Sequence, residues 1–413
     1  MAKESKNIVV LGGSYGGVSI AHYLLKHAIP QLPDKASYQV ILVSPSSEVI
    51  CRPATPRALI SEDMFPQDKL FVNIPKQFEQ YPSGFRFIQG AATALDHNER
   101  HVTVTLKGGS TEKIDYHALV IATGTSTASP LLSLNRDSES LRDSWNAFRA
   151  ALPKAKSIVI AGGGPAGVET AGELGEYLNG RSGWFSHGQQ NPKVPITLVT
   201  SDTKILPVLR PAIAKKAEDL LAHVGVKVIK GSRVASVSPP GAGTEGALAT
   251  NATVTLEDGK TLGADLYIPA TGAKPNTSFI NESLLTARGQ VETNSGTLRV
   301  DAAGPRVYAI GDVGSHARPA VHNILNTVPV LGANIKRDLL LASGKAESAV
   351  AADRVFKEDT REMQLVPIGK SKGVGAAMGY QVPSWMVWAI KGRDYWLWTT
   401  GNLWSGKQWA KES

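Results

Sequence analysis

The sequence predicts an α/β fold made of two Rossmann-type dinucleotide-binding domains and a small C-terminal α+β domain, and three observations predict it. An apolar, β-branched run leads into a glycine turn and then a helical stretch, and this happens twice, about 150 residues apart. Each unit later contains a second apolar strand that ends in Ala-Thr-Gly, so a pair of motifs repeats in the same order. The composition then changes: six of the eight tryptophans fall in the last 30 or so residues, interleaved with Lys391, Arg393, Lys407 and Lys411.

In the first unit, the strand at 7–11 meets Gly12, Gly13, Ser14, Tyr15, Gly16 and Gly17, and a helix continues through Lys26. In such a turn the first glycine permits the bend, the second lets the chain approach a pyrophosphate, and the third lets helix and strand pack closely. The phosphate sits at the helix N-terminus, where free N–H groups and the dipole favour negative charge. Ser14 stands where the motif has its middle glycine, a mild departure. The next strand, 39–43, ends in Ser44 where an acidic ribose ligand is expected, and the strand at 119–121 leads to Ala122-Thr123-Gly124.

The second unit fits the turn in full, with Gly162, Gly164 and Gly167 around Pro165 and Ala166, and its helix runs to about Asn179. Its next strand, 196–199, ends in Thr200-Ser201-Asp202, again without an acid at the first position. The hydroxyls of Ser44 and Thr200 are the candidate ribose ligands, with Asp202 as an open alternative. A missing carboxylate beside Lys204 leaves NADPH as open as NADH. The strand at 266–270 leads to Thr271 and Gly272. A late short strand ends in Gly311 and Asp312, which predicts a return of the chain to complete the first unit. Segments 101–106 and 253–256 read as hairpin strands. Segments 179–195 and 239–251, rich in Gly, Pro, Ser and Asn, read as surface loops. The expected domains are 1–130 with 265–345 for the first dinucleotide, 131–264 for the second, and an aromatic-rich 346–413.

With 413 residues, 42% of them hydrophobic, the chain divides into two or three domains. The 40 glycines and 24 prolines show no period, which excludes fibrous classes. No apolar run reaches the roughly 18–20 residues of a membrane span. A core strand beginning by Ile8 leaves no room for a signal peptide, and Ala2 and the C-terminal KES offer no lipidation motif, so a cytoplasmic and non-secreted protein is expected. The net charge of +8 is scattered without a basic block, which gives no support to nucleic-acid binding. Oligomeric state is left open. A single cysteine, Cys51, forbids an intramolecular disulfide and a redox CxxC pair.

These residues resemble the two-dinucleotide-binding flavoprotein superfamily, and within it the apoptosis-inducing-factor-like branch that includes the ferroptosis suppressor proteins. The likeness is carried by 12–17, 122–124, GGGPAGVETAGEL at 162–174, ATG at 270–272 and YAIGDV at 308–313, with softer matches at PATPRAL (53–59) and KGRD (391–394). It implies FAD in the first unit and NADH or NADPH in the second. It implies that Asp312 meets the FAD ribityl or pyrophosphate, with Gly311 and Arg52 also at the cofactor. Val321 and His322 open a helix aimed at the flavin pyrimidine, with helix capping or packing as the alternative for His322. Glu169 falls near the nicotinamide and flavin, as a cofactor-positioning or proton-delivering group or as a helix carboxylate paired with a cation; Glu173 shares its face.

The expected chemistry is hydride passage from nicotinamide C4 to flavin N5 without a thiol relay, and discharge to a quinone or other small redox acceptor. The tryptophans suit an aromatic wall for that acceptor, a peripheral contact with a membrane or lipid droplet, or plain packing of a β-rich C-terminal domain over the flavin domain. A slow flavin redox sensor and a biosynthetic flavin oxidase are the alternative functions.

Overall fold

The computed structural model describes residues 5–412 apart from Trp184, Phe185 and His187, so part of the expected loop at 179–195, with residues 1–4 and Ser413, lies outside the described residues. Strand β1 (Lys6–Leu11) is buried from Ile8 onward and feeds helix α1 (Tyr15–Tyr23). Strands β2 (Tyr38–Ser44), β3 (Phe85–Asp96), β4 (His101–Leu106), β5 (Thr111–Asp115) and β6 (Ala118–Ile121) follow. Helix α2 (Ser138–Ala151), capped by Asp137, which accepts from the Ser140 N–H at 2.8 Å, leads into the second unit. That unit holds β7 (Ile158–Ala161), α3 (Pro165–Asn179), β8 (Ile196–Val199), α4 (Pro211–Ala222), β9 (Val226–Ile229), β10 (Val234–Ser238), β11 (Ala252–Leu256), β12 (Thr261–Ala264) and β13 (Leu266–Pro269). The chain then returns with β14 (Val307–Ala309) and the long α5 (Val321–Ala342), and ends in β15 (Gln364–Ile368), β16 (Lys372–Ala377), β17 (Tyr380–Gln381) and α6 (Leu397–Trp404).

The first sheet has the order β14-β6-β1-β2-β3-β4-β5. Its strands are parallel as far as β3 and antiparallel beyond. The second runs β9-β8-β7-β13, all parallel, beside an antiparallel meander β10-β11-β12. The central parallel strands, β1 from Ile8, β6, β7 and β13, are apolar runs because helices cover one face and a meander the other. The two expected hairpin strands are the middle strands of two three-stranded meanders. Where the Ala-Thr-Gly turns leave their strands, Thr125–Thr127 pairs antiparallel with Ala273–Pro275, so the two units are joined at their repeated motifs. The 239–251 segment is not purely surface loop: Ala242 and Leu248 are buried.

The C-terminal tryptophans divide. Trp404 and Trp409 are buried against α1, with the Tyr15 and Trp404 ring centroids 4.8 Å apart. Lys26 Nζ donates to the Gly406 carbonyl at 2.5 Å, while His22 and His27 bond the carbonyls of Trp404 and Trp409, each at 2.8 Å. Trp385, Trp388 and Trp398 remain exposed at 66%, 40% and 60%. Among the described residues, no helix is long and apolar enough to cross a membrane.

This docking generates a pH dependence. The His22 ring, stacked on Phe78 at 3.9 Å, has its pKa pushed down to about 4 by burial, against the bond to the Trp404 carbonyl, which raises it. Its folded value lies below the unfolded 6.5, so its contribution is complete above pH 6.5 and is lost as pH falls towards 4, up to about 3 kcal/mol. Urea unfolding across that window should show stability falling with pH. His22→Gln should flatten the fall, even though His117 and His316, also pushed to about 4, retain part of it; an unchanged slope would exclude the linkage.

Candidate active site at the junction of three segments

Two crevices open at the carboxyl ends of the parallel strands, built alike. At Gly12 (φ 118°) an added Cβ would lie 2.2 Å from the Ala122 carbonyl oxygen, and at Gly162 (φ 122°) 2.3 Å from that of Ala270. A Cβ on Gly17 would stand 1.7 Å from Gly12 O, and one on Gly167 2.0 Å from Gly162 O. Glycine is therefore obligatory at these four positions. The middle position differs: Ser14 has φ −127° and Gly164 has φ −73°, and a Cβ at 164 would meet no protein atom. Neither backbone demands glycine, which is why Ser14 is accommodated, and the space in front of position 164 is open. No side chain caps α1 or α3, so their first-turn N–H groups stay available to a pyrophosphate.

The first crevice fits FAD on further grounds. Helix α5 starts at Val321 behind Ala320 with no side-chain cap, and the buried His322 Nε2 and Asn323 Oδ1 have no protein partner. His322 caps nothing; burial lowers its pKa. Arg52 Nη1 lies 3.2 Å from Thr125 Oγ1 and 3.8 Å from Asp312 Oδ2. Burial raises the Asp312 carboxyl while Arg52 opposes the rise. Ser44 Oγ accepts the Ser46 N–H at 3.3 Å, just as Thr200 Oγ1 accepts the Asp202 N–H at 3.3 Å. Each hydroxyl thus braces its own turn and keeps its proton to donate. Thr123 spends its hydroxyl on the Asn276 carbonyl at 2.8 Å, which locks the joining ribbon; its counterpart Thr271 lines the second crevice with Gly272.

Between the crevices, one face of α3 carries two buried carboxylates, Glu169 and Glu173, each 3% exposed. Isolated carboxylates cannot be buried this way, and each receives a cation from a distant segment. Arg57 forks onto Glu173, Nε to Oε2 at 2.9 Å and Nη2 to Oε1 at 2.8 Å, and the Tyr395 hydroxyl donates to Oε1 at 2.9 Å. Lys391 Nζ lies 2.5 Å from Glu169 Oε1, donates to the Leu365 carbonyl at 3.1 Å, and sits 5.0 Å from the centre of the Trp396 ring. Glu169 has the poorer hydrogen-bond set of the two. Burial pushes its pKa up to about 7, with Lys391 pulling down and Glu173 pushing up. A carboxyl with its pKa raised to about 7 is able to exchange a proton near neutral pH, whereas the fully bonded Glu173 is held as a structural partner of Arg57.

The lysine is held by strain. Tyr395 (φ 52°) and Trp396 (φ 67°) are consecutive non-glycine residues in the left-handed region, at a cost of about 1–3 kcal/mol each. Tyr395 is fully buried, its N–H donates to the Lys391 carbonyl at 2.6 Å, and its own carbonyl accepts from Cys51 Sγ at 3.3 Å. Cys51 is fully buried and burial pushes its thiol up to about 11, so it is a packing residue rather than a nucleophile.

The structure brings Glu169 to this junction, Gly12 to Gly17, Ser44 and Thr123–Gly124 to the first crevice, and Gly162 to Gly167, Thr200 and Thr271–Gly272 to the second. Sequence reasoning missed Arg57, Lys391 and Tyr395 as partners of the α3 carboxylates, although the first lies in PATPRAL and the others in or beside KGRD. Lys204, beside which the sequence lacks the expected carboxylate, does not face the second crevice freely. The ammonium instead donates to the Leu206, Pro207 and Leu209 carbonyls, and so fastens its own loop.

Comparison with known proteins gives consistent results. Residues 6–330 match the Pyridine nucleotide-disulphide oxidoreductase family. Oxidoreductase phnG of Penicillium herquei is 70% identical over 100% of this chain and 99% of its own length. Apoptosis-inducing factor 1 of Saccharomyces cerevisiae is 27% identical over 95% of this chain and 97% of its own. The solved sulfide:quinone oxidoreductase of Aquifex aeolicus superposes with a TM-score of 0.66 at 16% identity, covering 97% of this chain and 92% of that one.

For the junction, the pH dependence of nucleotide-driven turnover should break near 7, the value to which Glu169 is raised. Glu169→Gln should remove the break and lower turnover about 10²-fold. Lys391→Met should move the break upward, because the lysine is what pulls the carboxyl down. A wild-type profile retained in Glu169→Gln would take the proton-moving role from this residue.

Proposed function

Because the chain belongs to the pyridine nucleotide-disulphide oxidoreductase family and is an NAD(P)H-dependent flavin oxidoreductase, we propose that it passes reducing equivalents from NAD(P)H through FAD to a quinone-type acceptor without a dithiol. The observation that carries this reading is that the only cysteine, Cys51, is buried with its thiol raised to about 11. No protein sulfur is available to receive electrons, so the acceptor must take them directly. Bound FAD supplies the two-electron chemistry; the protein supplies position, charge and protons. In this reading the uncapped helix ends and the glycine turns hold the pyrophosphates. Lys391 offsets negative charge at the junction, and Glu169, near neutrality, donates or recovers a proton. A quinone suits such a site because it takes two electrons and two protons.

The half-buried Trp396 beside Lys391 offers a flat face for a planar acceptor. The exposed Trp385, Trp388 and Trp398 lie in a segment, 364–413, with six lysines or arginines and two acids, which supports peripheral contact with an anionic lipid surface.

Purified protein should be yellow, bleach when mixed anaerobically with NADH or NADPH, and recover its colour on addition of a short-chain ubiquinone. A reduced form that persists in the presence of quinone would overturn the acceptor and favour the redox-sensor alternative, and a colourless protein would overturn FAD itself.

A further inference from the structure

We propose that the second crevice contains a phosphate subsite for the adenosine 2′-phosphate of NADPH, formed by Thr200, Ser232 and Arg233. The inference rests on the nicotinamide nucleotide binding at the second glycine turn and is independent of the acceptor. The crevice has a volume of about 250 Å³ and is lined by the 162–164 turn, by 199–202 after β8 and by 232–234 after β9. The two strand-end segments are laced together: Ser232 N–H donates to the Thr200 carbonyl at 3.1 Å, and Gly231 N–H to the Asp202 carbonyl at 2.9 Å. Arg233 therefore rises from a fixed base beside the position where an adenosine ribose would meet the end of β8.

Three features select phosphate over a bare ribose diol. At the first position after β8 stands Thr200, whose hydroxyl keeps its proton to donate, and not a carboxylate that would repel a dianion. The Ser232 hydroxyl is buried, lines the crevice and has no protein partner, so a ligand oxygen is what would satisfy it. The Arg233 guanidinium is solvent-accessible, and its neighbour Glu257 lies 3.7 Å away with both side chains more than half exposed. Such a pair is worth little, which leaves the guanidinium free to fork onto phosphate oxygens. Asp202 is the opposing charge. It is exposed, its backbone N–H and carbonyl are already engaged by Thr200 and Gly231, and water screens its carboxylate. Lys204, the cation that sequence proximity suggests, is committed to carbonyls.

The test uses the flavin-loaded protein and two fragments that differ by this phosphate alone, 2′,5′-ADP and 5′-AMP, with binding measured calorimetrically. The wild type should bind 2′,5′-ADP at least about tenfold more tightly, and the preference should shrink as salt is raised. Arg233→Gln should bring the two fragments to within about twofold, and Ser232→Ala should lose part of the preference. Equal binding of the fragments by the wild type would overturn the subsite. A preference for 2′,5′-ADP that survives Arg233→Gln would overturn it too, as would 5′-AMP binding that depends on the Asp202 carboxylate in Asp202→Asn, because the ribose would then be held by that acid. NADPH bleaching of the flavin with no reoxidation by quinone would sink the proposed acceptor and leave this subsite standing.

Discussion

Two carboxylates on one buried helix face, Glu169 and Glu173, set the terms for the rest of this molecule. Neither can lose its water without a cation, and removing one partner of a buried pair costs about 3–5 kcal/mol. Arg57 reaches Glu173 from the first dinucleotide unit and Lys391 reaches Glu169 from the C-terminal segment, so both pairs close only when three separate stretches of chain are in place. The apolar packing follows the same plan. One continuous cluster takes in Cys51 and Leu59 from the first unit, Ile160 and Leu174 from the second, and Val374 and Tyr395 from the C-terminus. The C-terminal segment is therefore a wall of the junction and not an appendage.

That arrangement explains where the backbone is strained. Consecutive left-handed residues at Tyr395 and Trp396 are unfavourable by themselves, and they persist because the Tyr395 side chain is fully buried with its hydroxyl on Glu173. The turn so fixed brings the Lys391 ammonium to Glu169 and beside the Trp396 ring. Strain in two residues is exchanged for a lysine held against the Glu169 carboxylate.

The two crevices show how one architecture is given two chemistries. Their glycine turns, strand-end hydroxyls and uncapped helices superimpose as motifs, residue for residue at Gly12 and Gly162, Gly17 and Gly167, Ser44 and Thr200. They differ in what surrounds them. The first is flanked by Arg52, Asp312 and the start of α5; the second is flanked by the segment after β9 that carries Ser232 and Arg233.

What the sequence determined by itself was whatever depends on neighbours within about 20 residues. A Cβ on Gly17 or Gly167 would stand 1.7 or 2.0 Å from the carbonyl oxygen of the turn's own first glycine, and Gly12 and Gly162 take φ of 118° and 122°, so all four announce the turns from local geometry. Parallel strands buried on both faces must be apolar runs, which gave the fold class and the return of the chain at β14. Glu169 was legible through its place after the second turn. The tertiary structure alone decided its partner, because Lys391 lies 222 residues away and nothing in either local pattern refers to the other. It also decided which cation faces the second crevice, turning Lys204 onto its own loop and presenting Arg233, and which tryptophans are buried. Local sterics are written in adjacent residues; the pairing of buried charges is settled only when folding removes the water between them.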